Sequence, residues 1–437
     1  MTDTMPQTNT DTGIDHGSDL VHDHGDDLAY DQREVRASLD NCVKCTICET
    51  QCPVARVTPL FTGPKFVGPQ AERFRDGESV DYSLDYCSSC GICTQACPQG
   101  VKINEINSIA RSEMKKGDMP IRDRLITNTV LMGKFMTPFA PIANLALSAK
   151  PIRSVVQAVV GVHKDAAMPT AQTQTVQGWL KRRTPPAKAP TREPIVFFTG
   201  CAGGYFQVET SKKTIEVLEH LGFEVLVPKQ GCCGLAQQSN GLFEGARKSV
   251  MHLVDALNSA GKDLTIVSSS GSCAGMMKHE AHEILGLTSP KLLSVGARMR
   301  ETSEFLLELM DEGILTADMF DEIDATIPYH QPCQVKSQYM GTPAVHVMSA
   351  IPGVTVVESG QPCCGIAGTY WLKKEKYEIA KAVGQPVFDM VRETNQNVAT
   401  CDTETCRWQI EKHSGVKTVH PVELVHRALG LSDDLVV

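Results

Sequence analysis

Two copies of one cysteine spacing near the N-terminus constrain this chain more than any other feature. Each copy reads C-x2-C-x2-C-x3-C-P, the first starting at Cys42 and the second at Cys87. In proteins with two 4Fe-4S cubanes that use this spacing, the fourth cysteine of each run ligates the cluster held by the other run. The spacing therefore predicts two cubanes with crossed ligands. We assign Cys42, Cys45, Cys48 and Cys97 to the first, and Cys87, Cys90, Cys93 and Cys52 to the second.

Zinc is the alternative for these eight cysteines, because C-x2-C knuckles also form tetrahedral zinc sites. A zinc knuckle needs neither a third cysteine at the same interval nor the prolines that end both runs, Pro53 and Pro98. Disulfide bonds are a further alternative for the cysteines, but a disulfide framework is typical of short secreted chains. The first thirty residues are acidic and polar and lack the basic and apolar regions of a secretory signal, so we expect a cytoplasmic protein.

Composition divides the 437 residues into six predicted segments. The polar N-terminus has few apolar residues to bury and predicts a disordered tail. The segments are 1–33, the disordered tail; 34–120, a dicluster ferredoxin-like domain; 121–165, a helical segment; 166–194, a proline-rich linker; and 195–322 and 323–437, two Cys-Cys-Gly domains. The net charge of -9 argues against nucleic acid as a partner, since phosphate binding needs a basic face.

The helical segment is apolar on one face, because Ile152, Val155, Val156, Val159 and Val160 recur at helical intervals. One interpretation is an amphipathic helix lying on a membrane surface. The other is a helix packed on the core of this chain or on a partner subunit. The neighbouring uncharged run at 135–149 is broken by two prolines and is shorter than the ~20 residues that a bilayer requires.

Beyond residue 194, short β-rich runs alternate with helix-length segments, which predicts α/β layers with parallel strands. The expected fold is α+β overall, a mainly helical ferredoxin-like domain followed by a pseudo-duplicated α/β region. The predicted strands are Ile195–Phe198, Val225–Val227, Thr265–Val267, Thr326–Tyr329, Thr355–Val357 and Val398–Thr400.

The remaining nine cysteines form two sets within this repeat. The first is Cys201, Cys232, Cys233 and Cys273, and the second is Cys333, Cys363, Cys364, Cys401 and Cys406. Most follow a predicted strand, and loops at the carboxyl ends of parallel strands gather the sites of α/β folds. Adjacent cysteines diverge in most backbone conformations, so we expect Gly231, Gly234 and Gly365 to supply the unusual dihedral angles. Buried or disulfide-bonded cysteines are the alternative.

No flavin or nicotinamide motif is visible, and spacing singles out no catalytic acid or base. His330, His346 and His420 are interpreted as structural or surface histidines. A chain with clusters but no substrate site is typical of an electron relay, so we expect this chain to have no substrate site of its own.

The ferredoxin pair followed by two Cys-Cys-Gly domains resembles the iron-sulfur subunits of flavin dehydrogenases and heterodisulfide reductases. Longer strings are similar to the C subunits of anaerobic glycerol-3-phosphate dehydrogenases. They are Asn41–Thr46, Cys52–Val57, Thr137–Ile142, Cys363–Tyr370 and Trp408–Glu411. The resemblance covers about 34–429.

This resemblance implies flavin-containing partner subunits A and B, with FAD on the partner, and electron transfer to menaquinone or another quinone at the inner face of the membrane. It also implies a noncubane iron-sulfur cluster on the five cysteines of the second repeat. The first repeat is one cysteine short, because Ser270 stands where a partner of Cys273 is expected. In the second repeat, Thr403 stands where the partner of Cys406 is expected, which leaves the wider pair Cys401 and Cys406. The alternatives are a heterodisulfide reductase-like enzyme and the iron-sulfur subunit of a glycolate or lactate oxidase.

Overall fold

The protein is described by a computed structural model that covers residues 33–74, 81–115, 119–432 and 435. The predicted disordered tail, 1–33, therefore lies outside the described residues except for Arg33, where the first helix begins.

The part of the chain with the two cysteine runs consists of short helices and loops. The longest helix, Ile103–Met114, buries Ile106 and Ala110 on one face and contacts both cysteine loops. The helices are Arg33–Ala37, Ile47–Gln51, Ile92–Gln95 and Ile103–Met114, with 3-10 turns at Ser38–Asn41, Glu72–Phe74 and Tyr82–Tyr86 and a π turn at Phe66–Gln70.

The next part is helical, as predicted, but its helices expose their apolar residues. They are Ile121–Ile126, Thr129–Met136, Ala140–Ser148 and Lys150–Val160, with a 3-10 turn at Thr137–Phe139. Helix Lys150–Val160 has no buried residue, and Val155 and Val159 are 62% and 79% exposed. Packing of this helix on the chain's own core is therefore wrong.

The helical path is longer than the uncharged run at 135–149, and the two prolines do not end it. Pro138 and Pro141 each stand in the first turn of a helical element, where a missing N–H costs no hydrogen bond, so the helical path continues through them. Within the described residues, one helical stretch, Thr129–Ser148, is apolar enough and, at 20 residues, long enough to cross a membrane.

Two four-stranded parallel sheets follow, with the same strand order. The strands are β1 (Ile195–Phe198), β2 (Val225–Leu226), β3 (Ile266–Ser268), β4 (Met299–Glu301), β5 (Ala325–Tyr329), β6 (Val354–Glu358), β7 (Val398–Thr400) and β8 (Lys417–Val419). The orders are β2-β1-β3-β4 and β6-β5-β7-β8. The repeated topology confirms the predicted α+β fold with a duplicated C-terminal region. The domain boundaries drawn from composition stay a proposal.

Helices cover both sheets. In the first unit they are Gly200–Tyr205, Val208–His220, Leu235–Gln238, Phe243–Ala260, Gly271–Gly275, Ala281–Glu283, Pro290–Arg298 and Thr302–Asp311, with a π turn at Met276–Glu280 and a 3-10 turn at Ala317–Met319. In the second unit they are Cys333–Lys336, Pro343–Ser349, Tyr377–Glu393, Glu404–Ser414 and Pro421–Ala428, with a 3-10 turn at Tyr370–Leu372. One apolar core, which includes Phe197, Ile215, Ile327 and Val425, runs through both units and joins them. The segment predicted as a linker contains helix Val176–Leu180, which packs on that core.

Candidate metal centres

The first predicted cubane set surrounds one cavity. Cys42, Cys45, Cys48 and Cys97 all line the same small cavity, whose other walls are largely apolar. Burial raises the pKa of Cys48 to about 11, with the charges of Glu49, Cys42 and Cys97 acting in the same direction. Four crowded thiols are poorly suited to ionise on their own, so the donor set fits a cationic iron cluster that compensates their charge.

The second predicted set is equally compact. The pKa of Cys93 is raised by burial and then by the neighbouring Cys90, Cys87 and Cys52. Backbone N–H groups of Ala55 and Ser89 donate to the sulfurs of Cys52 and Cys87, each at 3.5 Å. Hydrogen bonds to cluster sulfur are one means by which a protein sets a reduction potential. The structure thus brings together the four sulfurs that the crossed assignment requires.

Both cysteine loops use left-handed backbone at matching positions. Lys44 in the first loop has φ 59° and Ser89 in the second has φ 53°, while Thr46 and Gly91 form a second matching pair at 67° and 77°. Three of these four residues are not glycine, so the loops store strain that the surrounding structure must support. Such strain is typical of loops that are shaped around a ligand.

The five cysteines of the second repeat lie close together at the carboxyl end of their sheet. Hydrogen bonds from Cys333 and Cys364 lower the pKa of Cys363, and the N–H of Gly365 donates to its sulfur at 3.3 Å. Cys406 is in hydrogen-bond contact with Cys364 and with Cys401. The wide Cys401 to Cys406 spacing therefore leaves both sulfurs within reach of the adjacent pair.

The four cysteines of the first repeat also meet. Cys201 contacts Cys232, and the sulfurs of Cys233 and Cys273 are 3.3 Å apart, well beyond the ~2.05 Å of a disulfide. All seventeen cysteines lie in the described part of the chain and all are free thiols. The hydroxyl of Ser270 accepts the N–H of Cys273 and faces Glu404, so it caps a helix and does not join the sulfurs.

The glycines next to the paired cysteines follow the prediction at two of three positions. Gly234 and Gly365 both have φ +83°, and each lies against the backbone of an alanine in the following long helix. Gly231 is not in the left-handed region, and a Cβ added to it would meet nothing within 4 Å, so its predicted role is wrong.

Of the four cysteine sets, the second cubane set and the set of the second repeat lie close together. Negative charge on Cys363 raises the pKa of Cys90 beyond the effect of burial, and charge on Cys90 in turn raises that of Cys333. These interactions place the second cubane set beside the second repeat. Six cysteines of the two sets share one buried cluster of residues: Cys52, Cys87, Cys363, Cys364, Cys401 and Cys406. The first repeat instead lies under the apolar helices, where the Thr129 hydroxyl is 3.9 Å from the sulfur of Cys232.

Sequence reasoning missed a buried polar trio between the two units, Glu301, Asp402 and His420, whose ligand atoms lie within 4.8 Å of one another. The Val422 N–H donates to Nδ1 of His420, so the Nε2 proton faces Glu301 at 3.2 Å. Burial raises the pKa of Glu301 to about 7 and that of Asp402 to about 6, and lowers that of His420 to about 3. A nitrogen that carries a proton is no metal ligand, so the trio is a hydrogen-bonded link between the units. This agrees with the structural interpretation of His420.

Arg111 was missed as well. Its guanidinium is buried and donates to the carbonyls of Leu84, Cys87 and Ser239 and to the hydroxyl of Ser89. It therefore ties the second cubane loop to the first Cys-Cys-Gly loop. The only sequence signal was a lone arginine beside the apolar face of helix Ile103–Met114.

Comparison with known proteins agrees with this geometry. Residues 38–101 match the 4Fe-4S dicluster domain family, and 195–278 and 327–411 match the cysteine-rich domain family. The chain is 34% identical over 397 residues to the C subunit of the anaerobic glycerol-3-phosphate dehydrogenase of Escherichia coli (strain K12), covering 90% of this chain and 99% of that protein. It is 29% identical over 265 residues to the D subunit of the dihydromethanophenazine:CoB--CoM heterodisulfide reductase of Methanosarcina barkeri, covering 57% and 62%. It is 28% identical over 249 residues to lactate utilization protein A 1 of Bacillus mycoides, covering 55% and 97%.

Proposed function

The chain belongs to the family of anaerobic glycerol-3-phosphate dehydrogenase C subunits, and we propose on that premise that it relays electrons from flavin-containing subunits A and B, which hold FAD, to a membrane quinone such as menaquinone. Its family membership makes it an iron-sulfur protein of a multisubunit oxidoreductase. The partners, the quinone and the cluster types are the proposal.

One observation carries the relay most directly, the proximity of the second cubane set to the second repeat. Cys90 interacts electrostatically with Cys363 and Cys333 across the boundary between the two parts of the chain. Two centres on these cysteines would exchange electrons over a short distance through packed protein. We propose two cubanes on the ligand sets predicted above and a noncubane cluster on the five cysteines of the second repeat. The four-cysteine first repeat is proposed as a further iron-sulfur site.

Burial favours a relay over the reductase alternative. In the second repeat, Cys363, Cys364, Cys401 and Cys406 are each at most 4% exposed. Of the five sulfurs, a disulfide substrate could approach only that of the partly exposed Cys333, and it would have to reach the other four through closely packed side chains. An electron needs no such passage.

We also propose that the apolar helices lie on the membrane surface without crossing it. The helix Thr129–Ser148 is attached to the chain along its length, since Gly133 lies against Tyr205 and the Asn144 side chain exchanges two hydrogen bonds with the Ala171 backbone. A helix that crossed the bilayer could keep these contacts only if the segments around Tyr205 and Ala171 entered the hydrocarbon with it, where irregular backbone would lose its hydrogen bonds to water. Only one face is available here, with apolar residues at Leu131, Phe135, Phe139, Ile142, Leu145, Ile152, Val155, Val156 and Val159.

Charge supports an anionic membrane as the occupant of this face. Between residues 124 and 164 the chain has five basic residues and no Asp or Glu, although its net charge is -9. Basic residues beside an apolar face are attracted to anionic lipid headgroups, by ~1 kcal/mol each. The test is sedimentation with vesicles of phosphatidylcholine with or without phosphatidylglycerol. We expect Val159→Asp to weaken binding to the anionic vesicles about tenfold, from lost apolar burial and added negative charge. Leu293→Asp, at an exposed apolar site elsewhere, should leave it unchanged.

The relay itself is tested by reconstituting the complex with and without this chain. Omitting the chain should abolish quinone reduction, while the A and B subunits continue to oxidise glycerol 3-phosphate with a soluble dye. Adding back the Cys364→Ser variant should restore assembly but not quinone reduction. Quinone reduction at an unchanged rate without this chain would refute the proposal.

A further inference from the structure

A small polar recess, called the cavity below, lies where the second cysteine loop meets both Cys-Cys-Gly units. Cys87 is the only cysteine that lines it, unlike the cavity of the first cubane set, which all four of its cysteines line. The space is therefore not the seat of a cluster. Its lining residues are contributed by the cubane part (Asp85, Cys87, Ser88, Arg111, Lys115), the first unit (Ser239, Asn240) and the second unit (Ala367, Thr369, Tyr370, Lys373, Lys376).

The lining is strongly cationic, with four basic side chains and a single carboxylate, Asp85. Lys115 and Lys376 share that carboxylate, at 3.0 and 2.7 Å. Lys373 pairs instead with Asp123 behind the wall, at 2.7 Å. The cavity is thus left with an excess of about two positive charges within the described residues, which matches a dianion.

Two buried donors among the residues at this cavity have unused hydrogen-bonding capacity. Arg111 is 5% exposed, and its Nε has no hydrogen-bond partner in the described part of the chain. The Asn240 amide donates to the hydroxyl of Thr369 at 2.7 Å, which leaves that hydroxyl its proton to donate onward. An unpaired buried donor costs about 1–3 kcal/mol. An oxyanion in the cavity would supply the acceptors.

We propose that this cavity binds a small oxyanion of the phosphate or phosphate-monoester class, and that the bound anion lowers the reduction potential of the centre ligated by Cys87. The geometry supports the linkage, because Arg111 donates both to the Cys87 carbonyl, at 2.6 Å, and to the carbonyl of Ser239, another residue of the cavity lining. The second half of the proposal depends on the proposed ligation of a cluster by Cys87. Anion binding and reduction then oppose each other, because the bound anion disfavours an added electron on the centre and the added electron disfavours the anion.

The cluster itself offers a competing explanation, since a cluster with four thiolate ligands is anionic and attracts basic residues. That explanation predicts no saturable response to added anion. It also predicts that replacing any lining lysine lowers the iron content of the chain, and that no such replacement changes phosphate binding.

Binding is measured by calorimetric titration of the anaerobically purified, cluster-loaded full chain without its partner subunits. Inorganic phosphate and glycerol 3-phosphate form separate arms, and neutral glycerol is the negative control. Saturable binding of either anion is expected, and the tighter of the two identifies the source. Lys115→Gln and Lys376→Gln should each weaken binding at least tenfold, the loss expected for one charged hydrogen bond. Lys374→Gln removes a charge from the same segment but lies outside the lining, so it should bind like the original chain.

The redox arm is a potentiometric titration followed by low-temperature paramagnetic resonance. One cubane signal should shift to lower potential as the anion saturates, by about 59 mV for each tenfold preference of the anion for the oxidised state. The shift should disappear in Lys115→Gln with unchanged iron content. The proposal is overturned if neither anion binds saturably, if Lys374→Gln weakens binding as much as Lys115→Gln, or if binding leaves every potential unchanged. None of these outcomes depends on quinone reduction, so they are separate from failure of the proposed function.

Discussion

Replacing Gly365 with alanine should specifically damage the second Cys-Cys-Gly site. Gly365 has φ +83°, and a Cβ there would meet the carbonyl oxygen of Ala380 at 1.9 Å. Left-handed backbone costs a residue with a side chain about 1–2 kcal/mol. To restore ordinary contact, the loop and helix Tyr377–Glu393 must separate by about 1.5 Å, and overpacking of this kind costs about 1–3 kcal/mol more. The expected total is about 2–5 kcal/mol.

Gly360→Ala is the matched control for this change. Gly360 also has positive φ, +60°, but nothing lies within 4 Å of its Cβ position. The Gly360→Ala variant therefore has the free-energy cost of left-handed backbone but no steric clash. The difference between the two variants isolates the contact that holds the Cys363 and Cys364 loop against its helix.

The assay combines iron and acid-labile sulfide per chain with the apparent unfolding temperature at a fixed scan rate. The Gly365→Ala variant should lose the iron of one centre and keep both cubane signals. Its unfolding temperature should fall by about 1–2 °C for each kcal/mol of extra cost relative to Gly360→Ala. Equal iron content and equal unfolding temperatures in the two variants would refute the reasoning.

Three further changes have defined outcomes. Cys401→Ser should remove the unusual paramagnetic signal of the second repeat and leave the two cubane signals in place; loss of a cubane signal instead would contradict the assignment. Lys373→Met leaves Asp123 buried without its closest partner and should cost about 3 kcal/mol, and adding Asp123→Asn should recover part of it, as a calorimetric cycle would show. The pKa of Glu301 is raised to about 7 from an ordinary 4.5, so its contribution to stability is complete below pH 4.5 and is lost as pH rises through 7. Glu301→Gln should flatten that fall by up to about 3 kcal/mol, measured as unfolding temperature against pH; an unchanged slope would show that this carboxyl does not titrate there.

The features that could be predicted are those encoded by residues close together in the sequence. The grouping of the eight N-terminal cysteines follows from intervals of three residues, and the strands β1 and β7 follow from short apolar runs whose predicted bounds match the observed ones. The strands β4 and β8 were missed, because Met299–Glu301 and Lys417–Val419 contain charged residues and are only three residues long. Their assignment depends on neighbouring strands, which no local pattern reveals.

Long-range pairing explains the other differences. Arg111 is 128 residues from the Ser239 carbonyl to which it donates, and Glu301 is 119 residues from His420. A single sequence contains no periodicity that links such positions. The helix through Pro138 was misjudged for a different reason, because proline ends a helix only when it falls after the first turn.

Burial of the second repeat's sulfurs has a consequence for how the mature protein is made. Cys45 is exposed at the edge of its loop, so assembly machinery can deliver iron to that site after folding. Cys401 is fully enclosed, and no carrier protein can reach it once the sheet and its helices have closed. The cluster proposed for this site would therefore have to be inserted while the unit folds, and iron starvation would leave the folded C-terminal unit without it.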